Sequence, residues 1–262
     1  MLPIIDSHCH IYPDKIAQRA AQGISDFYDV PVLFDGTVST LLKEGERAGI
    51  THFLVHSVST HPMQVRSINE FIAEQVRINS GMMTGFGTLH PDSEKIQYDL
   101  DHLISLGLKG IKIHPDIQGF PVDSAKVVDM CKLAANKLPV LVHAGDPRYE
   151  NSNPHQMLNF LKLLPDLKVI AAHFGGWDCW EEAAGLLAGM PNLYVDCSSS
   201  LYGLSIEKAR KLFHIYGTDR VLFGTDYPMW TPKDEMDRFH AVGLTFDEER
   251  LILYENAAKL LA

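Results

Sequence analysis

The chain has only four cysteines, Cys9, Cys131, Cys179 and Cys197. None falls in a C-x-x-C pair, and their spacing suggests no disulfide framework. Runs of lysine or arginine are also missing. With 23 basic against 33 acidic side chains, the net charge of −10 disfavours binding to nucleic acid or to an anionic membrane. No apolar run approaches the ~20 residues that span a bilayer. No basic segment followed by an apolar stretch opens the chain, so no signal peptide is expected. The simplest compartment is a reducing cytoplasm. Linkers, low-complexity tracts and charge blocks are absent too. A chain of 262 residues, 46% of them hydrophobic, is therefore expected to fold as a single domain over residues 1–262.

What is present is a repeated rhythm. Eight short apolar or β-branched runs predict strands at Pro3–Asp6, His52–His56, Thr84–Leu89, Gly110–His114, Pro139–His143, Lys168–His173, Leu193–Asp196 and Arg220–Asp226. Segments of helical spacing separate most of them, from Ser39–Ala48 to a closing helix at Asp247–Leu261. Eight alternating strands and helices predict an α/β fold, a (β/α)8 TIM barrel. The rival, an open doubly wound sheet, usually carries a glycine-rich phosphate loop after its first strand. Here that strand runs into Asp6-Ser7-His8 instead. The longest connection, from Ile11 to Val38, includes "QGISDFYDVPVLFDG", which has no clear periodicity. It reads as a loop on the catalytic face, a lid or substrate wall.

Thirteen histidines in 262 positions supply about 0.6 His-x-His pairs by chance, so His8 and His10 gain weight only from position. They sit just past the first strand, where residues two apart point the same way. His143 ends strand five, His173 strand six and Asp226 strand eight. In a parallel barrel all these ends meet at one face. Imidazoles and a carboxylate converging there suit Zn²⁺, which activates water and polarises a carbonyl. Cys9 should face away and pack. Asp6 is placed to orient an imidazole. His56, His90 and His114 also end strands and are further candidates for the pocket.

"DSHCH", "GIKIHP", "PVLVHAG", "VIAAHFGG" and "VLFGTDYP", in this order, resemble the amidohydrolase superfamily. The closer likeness is to its amidohydrolase-related branch, which includes aminocarboxymuconate semialdehyde decarboxylase and several lactonases and hydrolases. The resemblance spans essentially the whole chain. It implies a distorted (β/α)8 barrel with one divalent metal ion, usually Zn²⁺, with Mn²⁺ as the alternative. It implies His8, His10, His143 and Asp226 as metal ligands, and Asp226 and His173 as catalytic groups. Binuclear members carry a carboxylated lysine or a glutamate on strand four, where this chain has Lys112 and His114.

The resemblance implies a metal-dependent hydrolase of a small lactone, ester or amide. The alternative is a nonoxidative decarboxylase of a small unsaturated carboxylic acid. A metal-binding protein without catalysis and a metal-dependent nuclease are weaker readings. Arg148 is a candidate clamp for a substrate carboxylate. Trp177 and Trp230 are candidate pocket walls, and Lys112 and His114 further substrate contacts. The partner is a small molecule; barrels of this kind often pair, which allows a homodimer.

Overall fold

The computed structural model describes residues 2–262. Among the described residues nine strands are present: β1 (Ile5–His10), β2 (His52–His56), β3 (Met83–Gly85), β4 (Gly87–Thr88), β5 (Ile111–Ile113), β6 (Val140–Val142), β7 (Val169–Ala171), β8 (Leu193–Asp196) and β9 (Val221–Leu222). All pair in parallel, as a β1–β3 sheet and a β4–β9 sheet. At one seam, Phe86 N–H donates to Val55 O at 2.9 Å and Lys109 N–H to Gly85 O at 2.8 Å. At the other, Ser7 N–H donates to Phe223 O at 2.9 Å and His10 N–H to Tyr227 O at 2.7 Å. The result is the predicted barrel, distorted because neither seam is a continuous ladder.

Alternation along the strands makes two apolar layers. Phe53, Val55, Val140, Val142, Val169, Ala171, Val221 and Phe223 join the larger cluster, with helix residues such as Leu41, Ile72 and Phe160. The residues between them, Leu54, Leu141, Ile170 and Leu222, point the other way. With Ile5 and Phe86 they form a plug inside the barrel that also includes Ala257 and Leu260 near the C-terminus.

The helices are α1 (Asp14–Tyr28), α2 (Val38–Arg47), α3 (Val65–Ile78), α4 (Ile96–Ser105), α5 (Pro115–Gln118), α6 (Ala125–Lys132), α7 (Pro154–Leu163), α8 (Trp180–Leu187), α9 (Ile206–Tyr216), α10 (Pro232–Ala241), α11 (Phe246–Arg250) and α12 (Asn256–Leu261). A π-helical turn, Leu251–Glu255, joins the last two. Among the described residues no helix is long and apolar enough to cross a membrane.

Four features depart from the sequence reading. The predicted loop at Ile11–Val38 contains α1, whose buried face is only Ala17 and Ala21. Methyl side chains leave too weak an apolar stripe for periodicity to register. α10 has no counterpart in the predicted elements, because its ten residues, "PKDEMDRFHA", are dominated by charge. The predicted third strand is cut at Phe86 into β3 and β4. β1 runs four residues beyond its predicted end, since Cys9 pairs with Val55 and His10 with His56 after an irregularity following Asp6.

Gly110 precedes β5 and accommodates the plug: a Cβ there would lie 2.3 Å from the Phe86 ring. Gly110→Ala is expected to cost about 1–3 kcal/mol through overpacking, read as a lower urea midpoint. Trimming the ring in Gly110→Ala/Phe86→Leu should recover part of that loss. A single variant as stable as wild type would mean that the ring has room to move.

Candidate metal centre and adjoining cavity

The alternation that builds the plug also builds the site. Two residues beyond Leu54 stands His56, beyond Leu141 His143, and beyond Tyr194 Asp196; Lys112 follows Gly110 by two and His114 by four. All five are buried. Backbone geometry around them is unusual. Six of the eight non-glycine residues with positive φ, namely Asp146, His173, Phe174, Asp178, Ser199 and Asp226, lie in connections that follow β6–β9. Such conformations cost of order 1–3 kcal/mol each and cluster where a structure must aim particular groups.

His8, His10 and Asp226 converge. His8 Nε2 lies 3.3 Å from His10 Nε2 and 3.3 Å from Asp226 Oδ1, and His10 Nε2 lies 3.5 Å from the same oxygen. His8 Nδ1 donates to Asp196 Oδ2 at 2.9 Å, which leaves a lone pair on Nε2. Lys112 Nζ donates to that nitrogen at 3.1 Å. His56 packs edge-on against both His8 and His10. Neither ring nitrogen of His56 has a hydrogen-bond partner, nor has His10 Nδ1. Acceptors facing one point, beside buried imidazole nitrogens without partners, are what a divalent cation satisfies. The residues present therefore fit a metal.

His143 stands apart from this convergence and reaches it through His173. Its Nδ1 is 3.0 Å from His173 Nε2, and the His173 ring stacks on His8 with centroids 5.2 Å apart. On its other side His143 lies face to face with His114, centroids 3.8 Å apart. Tyr28, the last residue of α1, places its hydroxyl 2.6 Å from His114 Nε2 and 3.2 Å from His143 Nε2.

Above these groups lies a cavity lined by Tyr28, Val30, His143, His173, Trp177, Ser199, Tyr202, Asp226, Met229 and Trp230. Its aromatic walls are linked. Tyr28 meets Trp177 edge-on, Trp177 Nε1 donates to Tyr202 OH at 3.1 Å, and Tyr202 stacks on Trp230 at 4.4 Å. Trp230 Nε1 donates to Ser199 Oγ at 2.7 Å, and Ser199 Oγ donates to Asp226 Oδ2.

Several sequence expectations need correction. Arg148 does not line the cavity. Its guanidinium donates to both oxygens of Asp146, at 2.9 and 2.7 Å, and sits behind Tyr28 and Trp177. Asp6 orients no imidazole: it accepts from the backbone of His8 and from Thr225 N–H and Oγ1, which ties β1 to the segment after β9. Asp196 holds the His8 ring instead. Lys112 lies beneath the histidines, away from the cavity wall, and His114 stands behind Tyr28 and His143 without lining the cavity itself. His90 is turned toward Phe120 and Asp92. Cys9 packs in the core as predicted. Sequence reasoning missed Tyr28, Asp196, Ser198, Ser199 and Tyr202. Asp196 ends a predicted strand, which is the signal that could have found it.

Burial dominates the electrostatics. It pushes His8, His10, His56, His114 and His143 well below the ordinary histidine range, with positive or like neighbours adding to the effect. It brings His173 down to about 4 against the opposing Asp196 carboxylate. Lys112 falls to about 8, chiefly through burial. Asp226 rises to about 6 through burial, with Ser199 and Lys112 opposing.

The amidohydrolase family model, Amidohydro_2, matches residues 5–262. No curated protein sequence matches the chain. Among solved structures, an uncharacterized TIM-barrel protein from Bordetella bronchiseptica superposes with a TM-score of 0.82 at 20% identity, covering 99% of this chain and 98% of that one. The 5-carboxyvanillate decarboxylase of Sphingomonas paucimobilis gives 0.75 at 16%, covering 100% and 99%. A dihydroxybenzoic acid decarboxylase from Polaromonas sp., crystallised with manganese and 2-nitroresorcinol, gives 0.75 at 16%, covering 100% and 97%.

The buried charges set a pH dependence for the metal-free protein. Seven buried histidines, at positions 8, 10, 56, 90, 114, 143 and 173, are held below 6.5 in the fold. Each binds fewer protons folded than unfolded, so its stabilisation is lost as pH falls below 6.5. Four carboxyls act oppositely: Asp6, Asp116 and Asp226 at about 6 and Glu235 at about 7. They hold protons in the fold that the unfolded chain has released. More imidazoles are held down than carboxyls are held up, so unfolding takes up protons as pH falls through this range. The thermal midpoint should therefore fall between pH 7 and pH 5. A midpoint that rises over this range would show that the imidazoles are not held neutral.

Proposed function

The chain belongs to the amidohydrolase family, and from that premise we propose that it is a metal-dependent decarboxylase of a small aromatic or otherwise planar unsaturated carboxylic acid. The observation that carries this reading is the cavity. Its linked arc of Tyr28, Trp177, Tyr202 and Trp230 offers apolar surface to a flat ring above Asp226, His143 and His173. The decarboxylases among the similar structures act on aromatic acids, which supports the choice of substrate class.

His8, His10 and Asp226 would hold the cation, with His143 as the further ligand that the family resemblance implies. Zn²⁺ suits this nitrogen-rich set, and Mn²⁺ is the ion in one similar structure. When bound, the cation supplies Lewis-acid stabilisation of negative charge on a substrate oxygen. The aromatic walls exclude water and hold the ring. Carbon dioxide leaves as the bond from ring to carboxylate breaks, and the electron pair stays on the ring carbon. A proton from the Asp226 carboxyl then closes the new C–H bond, and Asp226 regains its proton from solvent. Ser199, fixed by Trp230, orients that carboxyl. Asp196 orients His8, and His173 orients His143, keeping both imidazoles in one tautomer.

Hydrolysis of a small ester, lactone or amide is the second reading. One observation favours it: Lys112 Nζ lies 3.1 Å from His8 Nε2, beside the position where binuclear relatives carry a modified lysine. The products decide between the two. Protein loaded with Mn²⁺ or Zn²⁺ and given benzoic acids with hydroxyl or methoxyl substituents should release CO₂. Release of a new acid from lactones or esters, without CO₂, would favour hydrolysis. Elemental analysis should give close to one ion per chain, lost in His8→Ala/His10→Ala; a reproducible two would sink the mononuclear assignment. Asp226→Asn should lower turnover about 10²–10⁴-fold with little change in folding, and near-normal turnover would remove its proton-donor role.

A further inference from the structure

A chain of hydrogen bonds crosses the site, and the groups at its two ends set the direction of every bond in it. At one end His173 Nδ1 lies 2.9 Å from Ser198 O. A carbonyl only accepts, and the Ser198 hydroxyl, 3.0 Å from the same nitrogen, gives its proton to Asp196, so His173 carries its proton on Nδ1 and presents a lone pair at Nε2. His143 Nδ1, 3.0 Å away, must then donate, which leaves a lone pair on His143 Nε2. At the other end Ile117 N–H donates to His114 Nδ1 at 3.3 Å. His114 therefore carries its proton on Nε2 and donates to the Tyr28 oxygen at 2.6 Å. The Tyr28 proton has one direction left, toward the His143 Nε2 lone pair at 3.2 Å.

Tyr28 and His143 both line the cavity. The end of α1 is anchored there: Arg148, gripped by Asp146, donates to Phe27 O at 3.2 Å and lies 5.5 Å above the Tyr28 ring. A cation that takes the His143 lone pair removes the acceptor of Tyr28 but not its donor, His114. The phenol, still held by His114, then has a proton to offer to whatever fills the cavity.

We propose that Tyr28, backed by His114, is the hydrogen-bond donor that binds a carboxylate oxygen of the substrate, and that it is released for this task when a cation takes His143 Nε2. This rests on the assignment of an aromatic acid as substrate. Nothing in the sequence motifs marks Tyr28; its place at the end of α1 does.

The test is a pair of titrations on wild type and Tyr28→Phe: Mn²⁺ binding to the metal-free protein, and benzoate binding to the Mn²⁺-loaded protein, followed by the fluorescence of the cavity tryptophans. Removing the competing phenol should tighten Mn²⁺ about 3- to 10-fold, and losing the donor should weaken benzoate about 10-fold. Equal benzoate affinity in the two proteins overturns the donor role while leaving the substrate class intact. No benzoate binding to loaded wild type overturns the substrate class, and the donor role with it. Unchanged Mn²⁺ affinity overturns the release from His143. If Tyr28→Phe fails to fold by circular dichroism, His114→Gln replaces it. That variant keeps the phenol but removes its fixed donor, and undiminished benzoate affinity there would equally overturn the proposal.

Discussion

Alternation along parallel strands governs this molecule. Once Leu54, Leu141, Ile170 and Leu222 fill the barrel's floor, the next inward position on each strand must enter the same enclosed space. On β2, β6 and β8 that position or its equivalent is His56, His143 or Asp196. The same strands that bury the plug thus bury ionisable groups above it. A surface site would give these groups water; this one leaves them to satisfy one another. That is why His8 is held by Asp196 and Lys112, and why His173 spans His143 and Ser198.

The arrangement has an imbalance built into it. Burial keeps the imidazoles neutral, so they present lone pairs rather than positive charge. Around His8 Nε2 the acceptors His10 and Asp226 gather with one ammonium, Lys112, as the nearby donor. Replacing each group by an apolar one would remove the desolvation cost, as in other buried polar clusters. The positive-φ residues that aim His173, Ser199 and Asp226 add a further cost in strain. A fold that carries both is organised for a ligand that returns the energy on binding, and a divalent cation has the charge and the ligand preference to do so.

Much of this was legible in the sequence, for a physical reason. Strands buried on both faces read as apolar runs, and a histidine or aspartate closing such a run stands out. His8, His10, His143, His173 and Asp226 were found this way, and the structure puts them at one end of the barrel. What was hidden depends on contacts between distant segments. Asp196 also closes a strand, but an acid there reads equally well as a turn. Tyr28 lies on a helix whose buried face is alanine, so its segment looked irregular. Arg148 looked free because Asp146, two residues earlier, could not be seen to close on it with both oxygens. The cut at Phe86 follows from ring packing against Gly110, and no local pattern records that.

Strand-borne and loop-borne parts of the site answer to different constraints. His8, His10, His56, Lys112 and Asp196 sit on β1, β2, β5 and β8, where a shift of one residue would turn them out of the barrel. The walls come from elsewhere: Tyr28 and Val30 from α1 and its end, Trp177 from the connection after β7, Tyr202 and Trp230 from those after β8 and β9. These segments can change shape without breaking the plug or moving the histidines. A barrel can therefore superpose over its full length at 16–20% identity without these walls having to be kept. His8, His10, His56, Lys112 and Asp196 are fixed by the strands, His143, His173 and Asp226 stand just past strand ends, and the cavity walls come from α1 and the three connections that face it.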